Sequence, residues 1–384
     1  MSDARLESEI AAVLNRYPPD CRPNKIEPVS GASGFSGAQL WKLTTPRGPL
    51  VLRRWPSEHP SPDRLRFIHD VLRHLAAEGI DFVPVPIPAI NGESFVEIDG
   101  HLWEIAPWLP GEACGWGFAQ QTPGKFHASV GSLRESTATP IANGIASQRP
   151  SEKKLVAALT ALARLHLALA RHPSAVAAPA VSPGILERQR RLTELLQGGL
   201  ERITNAARPE IWPELTPLAR EILKLFPLAA PLVQQELAAA AVLAVPLQPC
   251  LRDIWHEHVL FDGDRVTGII DFGALRVESV AADLARLLGS LAGDDADHWR
   301  VGLAAYQSLR RLSSAEQTLV RAYDASGTLL SGCNWLEWIY VDRIEFANRP
   351  AVLERITAIV GRLQRFVASL EGKRLTDDVG QGLP

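Results

Sequence analysis

Two aspartates and a histidine fall within one short stretch, Leu251 to Gly273, at spacings that let them share a divalent cation beside a general base. The stretch reads LRDIWHEHVLFDGDRVTGIIDFG. Two apolar runs, Val259 to Phe261 and Val266 to Ile270, flank Asp262-Gly263-Asp264, a glycine-containing link of the kind that closes a hairpin. Folding about Gly263 returns the segment around Asp253 and His258 to the side of Asp271. Gly273 then permits a backbone turn that a bulkier residue resists. Each of these residues alone reads as part of a buried hairpin with turn aspartates; the ordered set carries the chemistry.

RDxxxxH at Arg252 to His258, DFG from Asp271 and DLA from Asp283 resemble the catalytic and metal loops of kinases. The wording is closer to the aminoglycoside phosphotransferase and choline kinase-like family than to protein kinases. The resemblance implies that Asp253 orients a substrate hydroxyl, and that His258 and Asp271 bind the metal. It also implies ATP as donor, Mg2+ (or Mn2+) as the ion, and a hydroxyl-bearing small molecule as acceptor. The implied fold is α+β, a two-lobed protein kinase-like architecture. Residues 1–107 would form a small β-rich N-lobe, 108–372 a larger, mainly helical C-lobe, and 373–384 a loose tail. Two positions depart from the family pattern: Leu251 stands where a histidine is usual, and His258 where an asparagine is usual. Imidazole is a borderline ligand, less suited to magnesium than an amide oxygen.

The nucleotide must be held by elements nearer the start. Ser30, Gly31, Ser33, Gly34, Ser36 and Gly37 lie between strand-like runs, where backbone amides and hydroxyls can close over phosphate oxygens; the spacing is not GxGxxG, and a flexible polar turn is the plainer reading. Arg53, at the end of the run 49–55, falls where kinases carry the strand lysine that holds phosphates. Alternation sends Arg53 and Arg54 to opposite faces, and Arg53 is the one expected inside. A helix over 63–78 carries an apolar stripe of Leu65, Ile68, Leu72 and Leu75. The glutamate that pairs with the strand cation in the family is missing, because its position holds Ile68; Asp70 or His69 are the substitutes at hand. By the same resemblance, adenine would lie against backbone near Ile105 to Pro107, ahead of a hinge at Leu109-Pro110-Gly111.

Around these parts the chain reads as further strands at 82–86 and 94–98, then an irregular insertion over 112–150. Helices follow from 151, and over about 184–204, 214–226 and 231–244. His166 on an apolar stripe reads as a core histidine, and Asp283 as a structural anchor. Trp335 and Trp338 stand at i, i+3 and read as helix core, with an ammonium-binding aromatic face as the other reading.

A net charge of −3 in 384 residues gives no footing for nucleic acid or an anionic membrane surface as partner. Cys21, Cys114, Cys250 and Cys333 form no CxxC pair, which fits reduced thiols. The charged start and the lack of an apolar run of about 18 residues make the expected location cytoplasmic. Two rival functions stay open: a nucleotide-binding scaffold without turnover, and a metal-dependent hydrolase in which His256 and His258, on one face of an extended segment, join Asp253 and Asp271 around zinc or iron.

Overall fold

In the computed structural model, residues 3–29, 37–114, 150–346 and 348–380 are described. The first part is a sheet with two helices. α1 (Asp3–Leu14) precedes β1 (Lys25–Pro28), β2 (Gln39–Thr45) and β3 (Gly48–Arg54). α2 (Pro62–Ala77) follows, then β4 (Val96–Ile98) and β5 (His101–Pro107). The strands pair antiparallel in the order β1-β2-β3-β5-β4. Side-chain alternation gives this sheet two faces. Trp41, Leu43, Leu50, Leu52, Trp103 and Ile105 pack with Ile10 and Val13 of α1 in one core. Val51, Arg53, Glu104 and Ala106 line the opposite side, which faces α2 and the crevice. α2 starts where its sequence says: Ser61 Oγ accepts from the Arg64 amide at 3.3 Å, and Pro62 occupies the first turn, a position that does not need its missing N–H.

The chain then adds β6 (Glu112–Ala113) to the later hairpin of Val259–Asp262 and Arg265–Ile269, so the sheet's exit strand touches the stretch from Leu251 to Gly273 directly. Gly111 makes this approach possible: its φ is +104°, and a Cβ there would lie 2.3 Å from Thr267 Oγ1 and 2.7 Å from the Phe261 carbonyl oxygen.

The second part is mostly helical. α3 (Glu152–Leu169), β7 (Ala180–Val181), α4 (Pro183–Glu194), α5 (Leu200–Ala206) and α6 (Thr216–Ala240) lead to β8 (Ala244–Val245) and β9 (Gln248–Cys250). β10 (Val259–Asp262), β11 (Arg265–Ile269) and β12 (Arg276–Glu278) carry the catalytic stretch. α7 (Val280–Ala292), α8 (Ala296–Gln307), α9 (Ser314–Leu336) and α10 (Arg349–Gly380) complete it. Leu155, Leu159 and Leu162 of α3 share one core with Leu284, Leu287 and Leu288 of α7 and with Tyr306 and Leu329. The fold is therefore two-lobed and α+β, sheet-rich first and helical after, as expected.

Several elements differ from the sequence reading. The helices expected at 214–226 and 231–244 are one, α6, with Pro227 and Pro231 inside it. Proline removes a helical hydrogen bond, yet Phe226, Ala229, Ala230 and Val233 on both sides of the break are buried, and this packing holds one axis. Phe82 to Pro86 forms no strand; Pro84 and Pro86 lack the N–H a ladder needs, and the segment meets β11 through Ile269 N donating to the Phe82 carbonyl at 2.7 Å. α10 runs to Gly380, whereas a loose tail was expected from 373. Most of the 112–150 insertion, residues 115–149, lies outside the described residues. Trp335 is buried against Trp338 and Phe346, with ring centroids 5.3 Å apart in both cases. The neighbouring carboxylate, Glu337, is taken by Arg191 and Arg202; Trp335 is helix core as expected, whereas Trp338 is exposed. All four cysteines are free and buried.

Candidate active site

The catalytic stretch is hung from one buried carboxylate. Asp283, in the first turn of α7, accepts from the Leu251 amide at 2.8 Å and from the Arg252 amide at 2.5 Å. Its Oδ2 also meets His166 Nε2 at 3.1 Å, and His166 Nδ1 lies 2.8 Å from the Tyr306 hydroxyl. These distances fit a neutral imidazole that donates to Asp283 and accepts from Tyr306. Burial pulls the His166 imidazolium down below the usual range, against the pull of Asp283. Asp283 is thus the anchor expected from the sequence, and His166 the core histidine. With Cys250, these two form the only group of three potential metal ligands among the described residues. Its hydrogen bonds are already spent on the loop, which makes it a strut. Leu251, standing where the family has histidine, is fully buried.

Past the anchor, Arg252 takes a left-handed backbone, φ +67°, and Asp271 does the same at +64°. Non-glycine residues pay for this conformation and gather where geometry is functional. Here the two turns bring Asp253 and Asp271 to either side of His258. His258 Nδ1 sits 2.9 Å from the Asp253 carbonyl oxygen, and its Nε2 lies 3.5 Å from Asp271 Oδ2. The indole of Trp255 donates to the same Nε2 at 2.8 Å, so the imidazole is the tautomer with its proton on Nδ1. Burial lowers its basicity, opposed by the charges of Asp271 and Asp253. The Asp253 carboxylate is held by Arg286, whose Nε and Nη2 both reach Oδ1, at 3.1 and 2.9 Å.

His256 and His258 do not share a face of an extended segment, as the hydrolase alternative requires. They lie in a 3-10 turn. His256 is turned toward Trp255, ring centroids 4.7 Å apart. Burial, helped by Arg355 and Arg286, drives its basicity down to about 3. Among the described residues, no three-ligand group forms around this histidine pair.

Asp271, Phe272 and Gly273 form one wall of a crevice whose other wall is Val51, Arg53, Trp55, Glu104 and Ala106. Arg53 faces this crevice as expected. Arg54 points the other way, to Glu9 at 3.2 Å and Gln39 at 3.2 Å. The cation's partner is a residue the sequence reading missed. Arg53 Nε lies 3.5 Å from Glu104 Oε1 on the adjacent strand, and Glu104 Oε2 bonds His69 of α2. His69 Nδ1 in turn lies 2.7 Å from Ser94 Oγ. Burial alone would raise the Glu104 carboxyl; the bond and charge of His69 and the charge of Arg53 overcome it and hold it below the usual range. Ile68 is apolar lining, and Asp70 faces His172 at 3.2 Å, so His69 is the helix residue that reaches the site. A lone carboxylate in the apolar run from His101 to Trp108 was the available signal.

The other nucleotide candidates divide. Ser30, Gly31, Ser33, Gly34 and Ser36 lie outside the described residues; Gly37 is described, with φ +71° and Pro56 Cβ 3.9 Å from where its own Cβ would be. Ile105 does not face the crevice. Its side chain is buried in the sheet's other core, and its carbonyl accepts from Ile87 N at 2.8 Å. Ala106 faces the crevice instead, and Pro107 is not among the crevice-lining residues.

Structures similar over nearly the whole chain are phosphotransferases. An aminopropanol kinase associated with a microcompartment shares 14% identity and a TM-score of 0.60, over 96% of this chain and 98% of its own. An amicoumacin kinase solved in complex with AMP-PNP, Ca2+ and Ami shares 13% identity and a TM-score of 0.57, over 94% of both chains. An aminoglycoside phosphotransferase from Alicyclobacillus acidocaldarius shares 16% identity and a TM-score of 0.53, over 94% of this chain and 95% of that one. At such identities the likeness is one of fold. No curated protein sequence matches. A sequence profile described as the phosphotransferase enzyme family matches residues 26–323, well over half the chain and the whole span from β2 to α8; by that match, this chain belongs to the phosphotransferase enzyme family.

Proposed function

We propose that this protein transfers the γ-phosphoryl group of ATP to a hydroxyl of a small molecule, with Mg2+ or Mn2+ as the ion. The observation that carries the reading is His258, bonded to the Asp253 backbone on one side and 3.5 Å from Asp271 on the other, at the mouth of a crevice lined by Arg53. The amicoumacin kinase, solved with a nucleotide analogue and a divalent ion, is consistent with that pairing.

Asp271 would offer a hard carboxylate to such an ion, and His258 Nε2, which now accepts from the Trp255 indole, would be the second residue to hold it. A bound divalent ion supplies charge neutralisation on the phosphates. The chain's own groups do the rest. Arg53, steadied by Glu104 and His69, presents a guanidinium to phosphate oxygens. Asp253 orients the acceptor hydroxyl and takes its proton, the carboxylate being aimed by Arg286.

Calorimetry of ATP binding with magnesium or manganese tests the reading. Binding that is lost in Asp271→Asn is the expected result, and no binding to the unaltered chain refutes it. A nucleotide-binding scaffold without turnover is the second reading, favoured by the Trp255 bond to His258 Nε2 and by Ile68 at the glutamate position. ATP binding without phosphorylation of any hydroxyl compound selects it.

A further inference from the structure

The charge around Asp253 is one-sided. Arg286 binds its carboxylate; Arg252 and Arg276 lie 2.5 and 3.9 Å from Glu187. Two more guanidiniums stand close by with no carboxylate of the described residues in ion-pair range. Arg355, half-buried, stacks 4.0 Å over the ring of Trp255, the residue bonded to His258; Asp253 and Glu257 attract it from farther off, and Arg286 repels it. Arg188, half-buried, stacks 4.5 Å over Tyr323 and donates to the Gly184 carbonyl at 3.5 Å; Arg252 and Arg286 repel it and Glu278 attracts it from outside ion-pair range.

Most carboxylates around Asp253 are committed. Glu187 serves two arginines and Asp253 serves Arg286. Glu278 is buried on Ser182 Oγ at 2.6 Å and on the Gly184 and Ser279 amides at 2.7 and 2.8 Å. Among the described residues near Arg355, Glu257 and Glu354 are exposed and outside any ion pair. A wall of guanidiniums beside Asp253, with the open carboxylates Glu257 and Glu354 out at the surface, repels a cationic acceptor and attracts an anionic one.

We propose that the acceptor alcohol carries a carboxylate or a phosphate ester, met by Arg355, with Arg188 and Arg286 completing the positive wall beside Asp253. This rests on the phosphotransferase reading. In the step, the acceptor oxygen bonds the γ-phosphorus as the bond from that phosphorus to the β–γ bridging oxygen breaks. ADP leaves with the electron pair, and the hydroxyl proton passes to the Asp253 carboxylate and on to solvent.

The test uses the full chain with ATP and magnesium against alcohols matched by charge. D-glycerate, gluconate, glycerol phosphate and glucose phosphate carry the anion; glycerol, glucose, aminopropanediol and glucosamine are the neutral and cationic counterparts. The expected result is phosphorylation of anionic members, with Arg355→Gln and Arg188→Gln each raising the acceptor KM at least tenfold and the nucleotide KM less than twofold. Melting temperatures of both variants check that they fold; acids and phosphate esters in separate arms show which anion is used. Turnover of the amines, anionic turnover indifferent to both variants, or ATP binding with no anionic alcohol phosphorylated each overturns the proposal. Failure to bind ATP at all is the separate signature of a failed phosphotransferase reading.

Discussion

Arg53 is paired across the sheet with Glu104, its register partner on β5, rather than with a carboxylate from α2. The helix contributes His69 instead, on the far oxygen of the same glutamate. The three-part contact between strand, strand and helix is kept, while the position of its negative charge has moved from helix to sheet. Replacing Glu104 with Gln leaves the shape and removes the charge that Arg53 and the His69 ring face. We expect a loss of about 1–3 kcal/mol in urea unfolding and a nucleotide KM raised about tenfold. Unchanged values for both would show that Arg53 is not positioned by Glu104.

Asp253→Asn keeps one acceptor for Arg286 and removes the proton acceptor. General-base loss costs about 100- to 10,000-fold in rate. The expected outcome is a kcat reduced at least about 100-fold, with ATP affinity by calorimetry within a factor of two. Equal turnover in variant and parent would remove Asp253 from the chemistry.

Trp255→Phe deletes the indole donor that now occupies His258 Nε2. A hydrogen bond of ordinary net strength, about 0.5–1.5 kcal/mol, no longer competes with the ion. Manganese binding to the nucleotide-loaded protein should tighten roughly two- to tenfold, measured by electron paramagnetic resonance. Weaker binding would mean that the indole supports the site.

Asp283→Ala leaves the Leu251 and Arg252 amides and His166 without their acceptor inside the core. Each unsatisfied buried donor costs about 1–3 kcal/mol. We expect a loss of at least about 3 kcal/mol by denaturant unfolding, and Asp283→Asn, which keeps one oxygen, should lose less. A variant as stable as the parent would deny Asp283 its anchoring role.

His166 sets a pH dependence. Its basicity is lowered by burial, so below the ordinary histidine range, near pH 6.5, the unfolded chain takes up a proton that the folded chain refuses. Stability is therefore complete above that range and falls as pH drops through it, by up to ~1.4 kcal/mol per pH unit for this group. Unfolding curves between pH 8 and 5 read the slope, and His166→Gln should flatten it. A slope that survives the substitution assigns the effect to other groups.

The catalytic hairpin was legible because its signals are local: Gly263 in the turn, strand alternation on either side, and fixed intervals between Asp253, His258 and Asp271. The stripe of α2 and its Ser61-Pro62 start were legible for the same reason. What escaped depends on pairing across the chain. Glu104 reaches Arg53 only because β5 lies beside β3, and no spacing within either strand records that. The resemblance puts the backbone near Ile105 beside the nucleotide; which side chain lines the crevice there follows from the alternation of β5, which sends Ile105 into the opposite core and brings Ala106 forward. Pro227 and Pro231 read as a break because local propensity says so, and the burial that overrides it is tertiary. The histidine pair read as co-facial only while the segment was taken as extended.

The attachment at Asp283 has one more consequence. Because the loop takes its shape from a carboxylate set inside packed helices, it has no independent fold to keep when those helices loosen. Heat should therefore silence the protein and dissolve its helical interior at a single temperature, with no warm intermediate that stays folded but idle.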